Sequence, residues 1–300
     1  MPYKITGIGE ILWDIFPEGK KLGGAPANFT YFVKNLGQEG IIASRIGSDL
    51  LGKEILVLLE KLNLSGDFIQ IDSNYPTGTV EVKVDAGGKP DYTIKEYTAW
   101  DFLELSDKWI ELARNTDVIC FGTLAQRLPQ SRKTIIDFLN LSWKSAVKVF
   151  DMNLRRNFYS LEVIMRSLEL ATILKLNEKE LELIRKITGE SNKKSDIDFC
   201  RKLIDEYGIE LVCITKGGRG SLLIDKKNYY EHPGYRVTVA DTVGAGDAFT
   251  AAIVVKYLDG ASLKEMSDMA NRLGSWVCSQ IGPTPPFNKR IMKLLSLIRE

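Results

Sequence analysis

Short apolar segments alternate with longer amphipathic segments through most of this 300-residue chain. Segments such as "DVICFG" and "ELVCIT" have the length and composition of buried strands, whereas "APANFTYFVKNLG" has the period of a helix that ends at Gly37. Strands that alternate with helices pair in parallel, because each connection crosses back over the sheet. The pattern predicts a layered α/β/α fold with a mainly parallel central sheet and ligands at the carboxyl ends of its strands.

One segment, "TGTVEVKVDAGGKPDYTIKEYT", interrupts that alternation. Val80, Val82 and Val84 recur with a period of two, and the pair Gly87–Gly88 then marks a turn. This predicts a β-hairpin lid, inserted at about residues 77–98 in a single domain of residues 1–300. Because two strands alone are only marginally stable, the valine face needs a partner. The partner is either a second subunit, which gives a homodimer, or the closed cleft of the same subunit.

Composition and charge remove several classes of function. The formal net charge is +1, so we expect neither a nucleic-acid nor a membrane partner. The N-terminal segment has no signal-peptide pattern and the four cysteines are scattered, which predicts reduced thiols and a cytoplasmic location. His232 is the only histidine, which excludes a His-rich metal site. Neither a G-x-x-x-x-G-K-[ST] loop nor the protein-kinase motifs occur.

The segment "DTVGAGDAFTAAIVV" places three small residues and a carboxylate at the start of an apolar helix. Gly244, Ala245 and Gly246 expose backbone N–H groups where a helix carries partial positive charge, which predicts an anion site. Asp247 beside a phosphoryl group would accept the proton of an attacking hydroxyl. Taken alone, the motif is equally consistent with an ordinary helix start in which Asp247 stabilises the helix dipole.

Two further motifs follow strands near the middle of the chain. "TKGGRG" would bring Lys216, Gly218 and Gly220 to nucleotide phosphates, although it is also consistent with a hairpin turn. "LKLNEKE" places Asn177 after a strand and Glu180 in the first turn of a helix. These two side chains could order a Mg²⁺–water cluster. Locally, the favoured interpretation is a helix N-cap with a capping box.

Polar residues near the N-terminus suit a polyhydroxylated ligand. "KITGIGEILW" is predicted as one strand, with Asp14 at its end, and "LGGAPANF" brings Gly23, Gly24 and Asn28 to the start of a helix. A sugar needs acceptors and donors at close range, although the same residues would also suit a tight turn with a capping residue. "FDMNLR" ends another strand and places Arg155 at the same edge of the sheet.

Together these motifs resemble those of the PfkB family of carbohydrate kinases, which have a ribokinase-like fold. "GGAPANFTYFVKNLG" and "DTVGAGDAF" resemble the two family signatures, and "DMNLR" and "NEKE" lie between them in the expected order. The resemblance extends from Gly9 to about Gly282 and is strongest to bacterial fructokinases. It implies an ATP-dependent sugar kinase with Mg²⁺ as cofactor, and the similarity to fructokinases implies D-fructose as the sugar.

The resemblance also implies individual roles. Asp247 would be the catalytic base, and Gly244, Ala245 and Gly246 would form the anion hole. The sugar-binding residues would be Asp14, Gly23, Gly24, Asn28 and Arg155. Residues on the side of ATP and Mg²⁺ would be Asn177, Glu180, Lys216, Gly218, Gly220 and Asn271.

Many members of the family bind a monovalent cation, usually K⁺, beside the anion hole. Asp241 and the carbonyl group of Val243 resemble part of that site, and Ser279 and Gly282 would complete it. Val243 stands where ribokinases often have Thr, which removes no carbonyl group. The resemblance therefore implies K⁺ as an activator.

Other functions stay open at this stage. Within the same family, the chain could be a 2-keto-3-deoxygluconate kinase, a ribokinase or a nucleoside kinase. An acidic substrate would need cations, which Arg155, Lys83 and Lys95 could supply. In a different class, the chain could be a non-catalytic regulator that binds a sugar or a nucleotide, but the presence of Asp247 favours the enzyme.

Overall fold

The computed structural model describes residues 1–17, 19–84, 90–190 and 195–295. Within these ranges thirteen strands form one large sheet and one small sheet. In chain order the strands are β1 (Lys4–Ile8), β2 (Leu12–Phe16), β3 (Gly19–Gly23), β4 (Glu39–Gly47), β5 (Ile69–Asp72), β6 (Gly78–Val84), β7 (Pro90–Ile94), β8 (Val118–Phe121), β9 (Val147–Asp151), β10 (Ile173–Asn177), β11 (Leu211–Thr215), β12 (Ser221–Ile224) and β13 (Tyr229–His232).

Ten α-helices connect or cover these strands within the described residues. They are α1 (Ala25–Asn35), α2 (Leu50–Lys61), α3 (Asp107–Arg114), α4 (Pro129–Leu141), α5 (Leu161–Leu170), α6 (Glu178–Ile187), α7 (Asp196–Tyr207), α8 (Ala245–Leu258), α9 (Leu263–Cys278) and α10 (Lys289–Leu294). Short 3₁₀ turns lie at Ala99–Phe102, Leu124–Gln126 and Gly217–Arg219. None of these helices is both long enough and apolar enough to cross a membrane.

The large sheet has the strand order β13-β12-β11-β10-β9-β8-β1-β4-β5. Every neighbouring pair from β5 to β11 is parallel, and only β12 and β13 are antiparallel. Apolar residues fill both faces: α1, α2, α8, α9 and α10 cover one face, and α3 to α7 cover the other. The predicted α/β/α layers and the mainly parallel sheet are therefore confirmed.

The predicted end of α1 at Gly37 is confirmed. Gly37 has a φ of 88°, and its N–H donates to the carbonyl group of Lys34 at 2.9 Å. The N–H of Gln38 donates to the carbonyl group of Val33 at 3.2 Å. This pair of hydrogen bonds is the Schellman motif, in which a left-handed residue lets the chain leave the helix.

The predicted hairpin is present as β6 and β7, with Val80 opposite Ile94. It is not an isolated pair, because the small sheet has the order β3-β2-β6-β7 and β2 pairs with β6 in parallel. The predicted turn at Gly87–Gly88 lies outside the described residues. Strands β2 and β3 therefore extend the hairpin into a four-stranded sheet, which the sequence of the hairpin does not predict.

The prediction of one strand over "KITGIGEILW" is wrong. The chain changes sheets between Ile8, where β1 ends, and Leu12, where β2 begins. Gly9, with a φ of 146°, lies in this break. Asp14 consequently lies in the middle of β2, opposite Lys21 of β3, and not at the end of the first strand of the large sheet.

Two apolar side chains of the hairpin face the cleft of their own subunit. Val80 and Ile94 are buried and line the cleft between the two sheets. The side chains of Val82 and Val84 lie outside the described residues. Two partners were considered for the valine face, a second subunit and the closed cleft of the same subunit. Val80 lines the cleft of its own subunit.

Two neighbouring glycines in the turn between β11 and β12 have different surroundings. Gly220 has a φ of 86°, and a β-carbon there would lie 1.8 Å from the carbonyl oxygen of His232. Gly218 has no atom within 4 Å of the position that its β-carbon would occupy. Gly220 is therefore required for a close backbone contact with the end of β13, and Gly218 is not.

We predict that Gly220→Ala lowers the free energy of unfolding by about 2–4 kcal/mol, because it combines backbone strain with a steric clash. Gly218→Ala is the matched control, and its free energy of unfolding should stay within about 0.5 kcal/mol of the parent. Urea denaturation of the three proteins measures this difference. Equal midpoints for both variants would contradict the described turn.

Candidate active site

A cleft of about 700 Å³ lies between the small sheet and the carboxyl ends of the central strands. Parallel strands bring their carboxyl ends to one edge of a sheet, which is why residues distant in sequence meet there. The predicted site residues that line the cleft are Asp14, Gly24, Asn28, Arg155, Val243, Gly244, Gly246 and Asp247. The structure thus brings the predicted base, most of the anion hole and most of the sugar site into one cavity.

The start of α8 has the backbone geometry expected of an anion site. Gly244 has a φ of 80°, and a β-carbon there would lie 2.4 Å from the carbonyl oxygen of Pro283, so only glycine fits. The N–H of Ala248 donates to the carbonyl group of Gly244 at 2.9 Å, which begins the helical hydrogen bonding. The N–H groups of Gly246 and Asp247 precede that bond and have no acceptor within the helix.

The carboxylate of Asp247 joins the start of α8 to the start of α1. Its Oδ2 atom accepts a hydrogen bond from Nδ2 of Asn28 at 2.8 Å. Burial raises the pKa of Asp247 to about 6, and the negative charge of Asp151 acts in the same direction, whereas the hydrogen bond from Asn28 opposes both. At neutral pH Asp247 is therefore an ionised carboxylate that is more basic than an ordinary aspartate, as a general base must be.

Asn28 also carries a buried acceptor next to this carboxylate. Its Nδ2 atom donates to Asp247, but its Oδ1 atom is buried and has no hydrogen-bond partner among the described residues. Buried polar atoms are nearly always hydrogen-bonded, so an atom of this kind beside a cleft indicates a place for a ligand donor. A hydroxyl group is a donor of suitable size.

Asp14, which lies on β2, also lines the cleft. Burial raises the pKa of Asp14 to about 6, and the positive charges of Arg155 and Lys21 oppose this shift. Gly23 on the neighbouring strand leaves room for this side chain, since a β-carbon there would lie 2.5 Å from Oδ2 of Asp14. Gly24 has a φ of 105°, and a β-carbon there would lie 2.4 Å from the carbonyl oxygen of Glu10.

Arg155 follows β9 and is the predicted cation that lines the cleft. Its side chain is exposed, and Nη1 donates to the carbonyl group of Leu154 at 3.3 Å. Its charge lowers the pKa of Asp14 and of Asp247 against the effect of burial. Lys95 is exposed, and the side chain of Lys83 lies outside the described residues.

Two buried charged residues of the cleft were not predicted. Glu10 is buried, accepts a hydrogen bond from the N–H of Ala25 at 3.3 Å, and has its pKa raised by burial to about 7. Lys175 is buried in β10, with its Nζ atom 2.9 Å from Oδ1 of Asp151. The available signal was a single charged residue within an apolar segment, in "GIGEIL" and in "ILKLN".

Asn177 and Glu180 form the capping box that was the favoured local interpretation. The N–H of Glu180 donates to Oδ1 of Asn177 at 3.1 Å, and the N–H of Asn177 donates to Oε2 of Glu180 at 2.8 Å. Oε1 of Glu180 also accepts from the N–H of Leu154 at 2.8 Å, which ties α6 to the segment after β9. All three side-chain oxygens are therefore engaged by backbone groups.

The described residues contain no group of three or more His, Cys, Asp or Glu side chains that could hold a metal ion. Mg²⁺ does not require such a group, because it retains water ligands and binds through substrate phosphates with one or two carboxylates. Asn177 at the carboxyl end of β10 and Glu180 in the first turn of α6 have the oxygen ligands that Mg²⁺ prefers. Because these oxygens accept backbone hydrogen bonds, they would contact Mg²⁺ through its water ligands.

None of the six residues predicted for the nucleotide side lines the cleft, Asn177 and Glu180 included. Lys216 and Gly218 lie in the turn after β11, where Nζ of Lys216 donates to Oε1 of Glu231 at 2.6 Å. Asn271 on α9 is buried, and its Nδ2 atom donates to Oγ of Ser221 at 2.8 Å. Because Ser221 directly follows Gly220, these residues form a second group beside β12.

Three of the four residues predicted for the cation site meet around Asp241. Its Oδ1 atom accepts from the N–H of Val243 at 3.0 Å, and its Oδ2 atom accepts from the N–H of Gly282 at 3.1 Å. Ser279 instead donates from Oγ to the carbonyl group of Trp276 at 2.7 Å. Nζ of Lys21 lies 3.7 Å from Oδ2 of Asp241, so a positive charge already faces this carboxylate.

Comparisons with known proteins identify the family to which the chain belongs. Residues 18–290 match the pattern of the pfkB family carbohydrate kinase. The chain is 27% identical to a fructokinase from Escherichia coli over 293 residues, which covers 92% of this chain and 93% of that one. It is 29% identical to a sugar kinase from Pyrococcus horikoshii over 286 residues, which covers 89% of this chain and 87% of that one.

Solved structures give the same result. The structure of the uncharacterized Pyrococcus horikoshii sugar kinase matches with a TM-score of 0.83 and 28% identity, covering 97% of this chain and 96% of that one. A second structure of that kinase is a complex with ATP. A 2-dehydro-3-deoxygluconokinase from Thermotoga maritima shares the fold, with a TM-score of 0.84, 20% identity and coverage of 98% and 99%.

The matched pattern covers most of the chain and all four motifs that carry the resemblance. The ribokinase-like fold expected from that resemblance is confirmed by the solved structures. The chain belongs to the pfkB family of carbohydrate kinases.

Proposed function

We propose that this chain is an ATP-dependent fructokinase, which converts D-fructose and ATP to D-fructose 6-phosphate and ADP. The observation that carries the proposal is the pair formed by Asp247 and Asn28 at the start of α8. It combines a carboxylate of raised pKa, a buried acceptor that has no partner among the described residues, and N–H groups suited to an anion. The preference for fructose is supported by relatives named fructokinase, such as the one from Escherichia coli.

The residues of the cleft suit direct transfer of a phosphoryl group. Asp247 would accept the proton of the sugar's primary hydroxyl group while that oxygen attacks the γ-phosphorus of ATP. The N–H groups at the start of α8 would stabilise the negative charge on the phosphoryl oxygens. Mg²⁺ bound to the phosphates would neutralise part of their charge, with Asn177 and Glu180 as its nearest predicted partners.

The sugar would lie between the two sheets. The carboxylate of Asp14 and Oδ1 of Asn28 would accept hydrogen bonds from its hydroxyl groups. Both residues line the cleft, and neither of these groups accepts a hydrogen bond from the described residues. Val80 and Ile94 of the small sheet would cover the ligand and exclude water from the reacting groups. This arrangement would hold the hydroxyl group next to Asp247 in a reactive orientation.

A 2-keto-3-deoxygluconate kinase is the second candidate within the family. The observation that favours it is Arg155, an exposed cation at the cleft, which would suit a substrate carboxylate. Ribokinase and nucleoside kinase activities stay open as well, because discrimination between similar sugars depends on small differences in contact. A homodimer through the hairpin, a cytoplasmic location and K⁺ activation stay predictions from the sequence.

We predict that fructose is the preferred substrate in a coupled assay of ADP release. The panel contains fructose, ribose, 2-keto-3-deoxygluconate, adenosine and fructose 6-phosphate, each with Mg²⁺ and with or without K⁺. A higher kcat/KM for 2-keto-3-deoxygluconate than for fructose would replace the first candidate with the second. Sugar binding without ADP release on any substrate would favour a non-catalytic regulator.

We predict that Asp247→Asn lowers kcat by about 10²–10⁴-fold, the range that general-base catalysis contributes. The folded state should be at least as stable, because an amide can still accept the hydrogen bond from Asn28 and removes a buried charge. Asp259→Asn, at the exposed end of the same helix, is the matched control and should retain full activity. A D247N variant with turnover near the parent value would eliminate Asp247 as the base.

We predict an acidic limb in the pH profile of kcat/KM with its midpoint near pH 6. The base must be ionised, and burial raises the pKa of Asp247 to about 6, so activity should be full above this pH and fall as pH decreases through it. Steady-state rates between pH 5 and pH 8.5 measure the profile. A rate that is constant between pH 5 and pH 7 would contradict the raised pKa.

A further inference from the structure

The ammonium group of Lys175 lies beneath the start of α8, and the reaction described above does not use it. Lys175 is 7% exposed, and its neighbours in β10, Leu174 and Leu176, are fully buried. Removing an ammonium group from water is costly unless it is paired, and an apolar pair of similar size is often at least as stable. A buried lysine in a central strand is therefore better explained by a function than by stability.

A chain of hydrogen bonds fixes this ammonium group relative to α8. Nζ of Lys175 donates to Oδ1 of Asp151 at 2.9 Å, and Oγ of Thr250 donates to Oδ2 of Asp151 at 2.9 Å. Thr250 lies one helical turn after Gly246. The network therefore joins β10, β9 and the first turns of α8.

The pair with Asp151 does not use the whole hydrogen-bonding capacity of Lys175. An ammonium group has three N–H donors, and Oδ1 of Asp151 is the one acceptor found for it among the described residues. Lys175 lines the cleft, and its Nζ atom lies 3.2 Å from the position of a β-carbon at Gly246. The cation and the N–H groups of Gly246 and Asp247 thus border the same space.

The ammonium group stays protonated at this position. Burial acts to lower the pKa of Lys175, but the negative charges of Asp151 and Glu180 outweigh burial and raise it. Lys175 is therefore a fixed positive charge and not a proton acceptor at neutral pH.

We propose that Lys175 is a further catalytic residue, whose ammonium group contacts the phosphoryl group during its transfer at the start of α8. The proposal rests on the kinase reaction proposed above. In that reaction a bond forms between the hydroxyl oxygen and the γ-phosphorus, and the bond from that phosphorus to the bridging oxygen of ADP breaks. The hydroxyl proton passes to Asp247, and Lys175 keeps its own protons. Its charge stabilises the negative charge on the phosphoryl oxygens.

The first test compares Lys175→Met with Lys148→Met. Lys148 is a partly buried lysine in the adjacent strand β9 that does not line the cleft, so K148M controls for loss of a strand lysine. We expect kcat of K175M to fall by about 10²-fold or more with little change in KM for the sugar, because the interaction belongs to the transition state. K148M should keep the parent kcat. A K175M variant with the parent kcat would overturn the proposal.

K175M leaves Asp151 as a buried charge without its partner. A second pair of variants controls for this effect. Asp151→Asn retains the lysine, and the double variant D151N/K175M has no buried charge at either position. We expect kcat of the double variant to be at least about 30-fold below that of D151N, because only the ammonium group differs between them. Equal values of kcat would assign the pair a structural role and overturn the proposal.

A third measurement does not depend on turnover. Titration calorimetry with inorganic phosphate tests the anion site directly, and K175M should bind phosphate at least about tenfold more weakly than the parent or K148M, as expected for one charged hydrogen bond. Equal phosphate affinities, or no phosphate binding by the parent, would overturn the assignment of Lys175. A parent protein that binds phosphate through Lys175 but phosphorylates no sugar would contradict the proposed function alone.

Discussion

The hydrogen bond between Asn28 and Asp247 connects two helix starts that lie 219 positions apart in sequence. It places a carboxylate of raised pKa at the start of α8 and leaves the second polar atom of Asn28 without a described partner. Both features depend on burial between the large and small sheets. The remaining cleft residues are arranged around this contact: glycines allow the backbones to approach closely, and the small sheet covers the space above them.

The electrostatics of the cleft follow from a small number of buried charges. Glu10, Asp14 and Asp247 all have their pKa raised, chiefly by burial, to values between about 6 and about 7. Arg155 lowers each of these pKa values, and Lys175 lowers that of Asp247. A site in which buried carboxylates lie beside cations can bind an anion and still retain a base, as phosphoryl transfer from ATP requires.

The sequence was sufficient to predict the layered fold, the hairpin and the Asp247 motif, because strand-and-helix alternation and glycine-rich helix starts have local signals. It failed where a short apolar segment changes sheets. In "KITGIGEILW" the local signals are Gly9 and Glu10, which a continuous strand could also contain, and the pairing of β2 with β3 and β6 separates it from β1. Lys175 and Glu10 were not predicted. The role of a single charged residue in an apolar segment depends on its neighbours in space, such as Asp151 and Asp247. The roles predicted for Asn177, Glu180 and Asn271 stay predictions, and their side chains form a capping box and a serine network.

The proposed reaction requires that a sugar hydroxyl group and the γ-phosphate of ATP meet between Asp247 and the start of α8. A crystal structure with fructose and a non-hydrolysable ATP analogue measures this directly. We expect one primary hydroxyl group within hydrogen-bonding distance of the Asp247 carboxylate, and γ-phosphate oxygens at the N–H groups of Gly246 and Asp247. A γ-phosphate bound elsewhere, or a sugar with every hydroxyl group beyond the reach of Asp247, would contradict the proposed reaction.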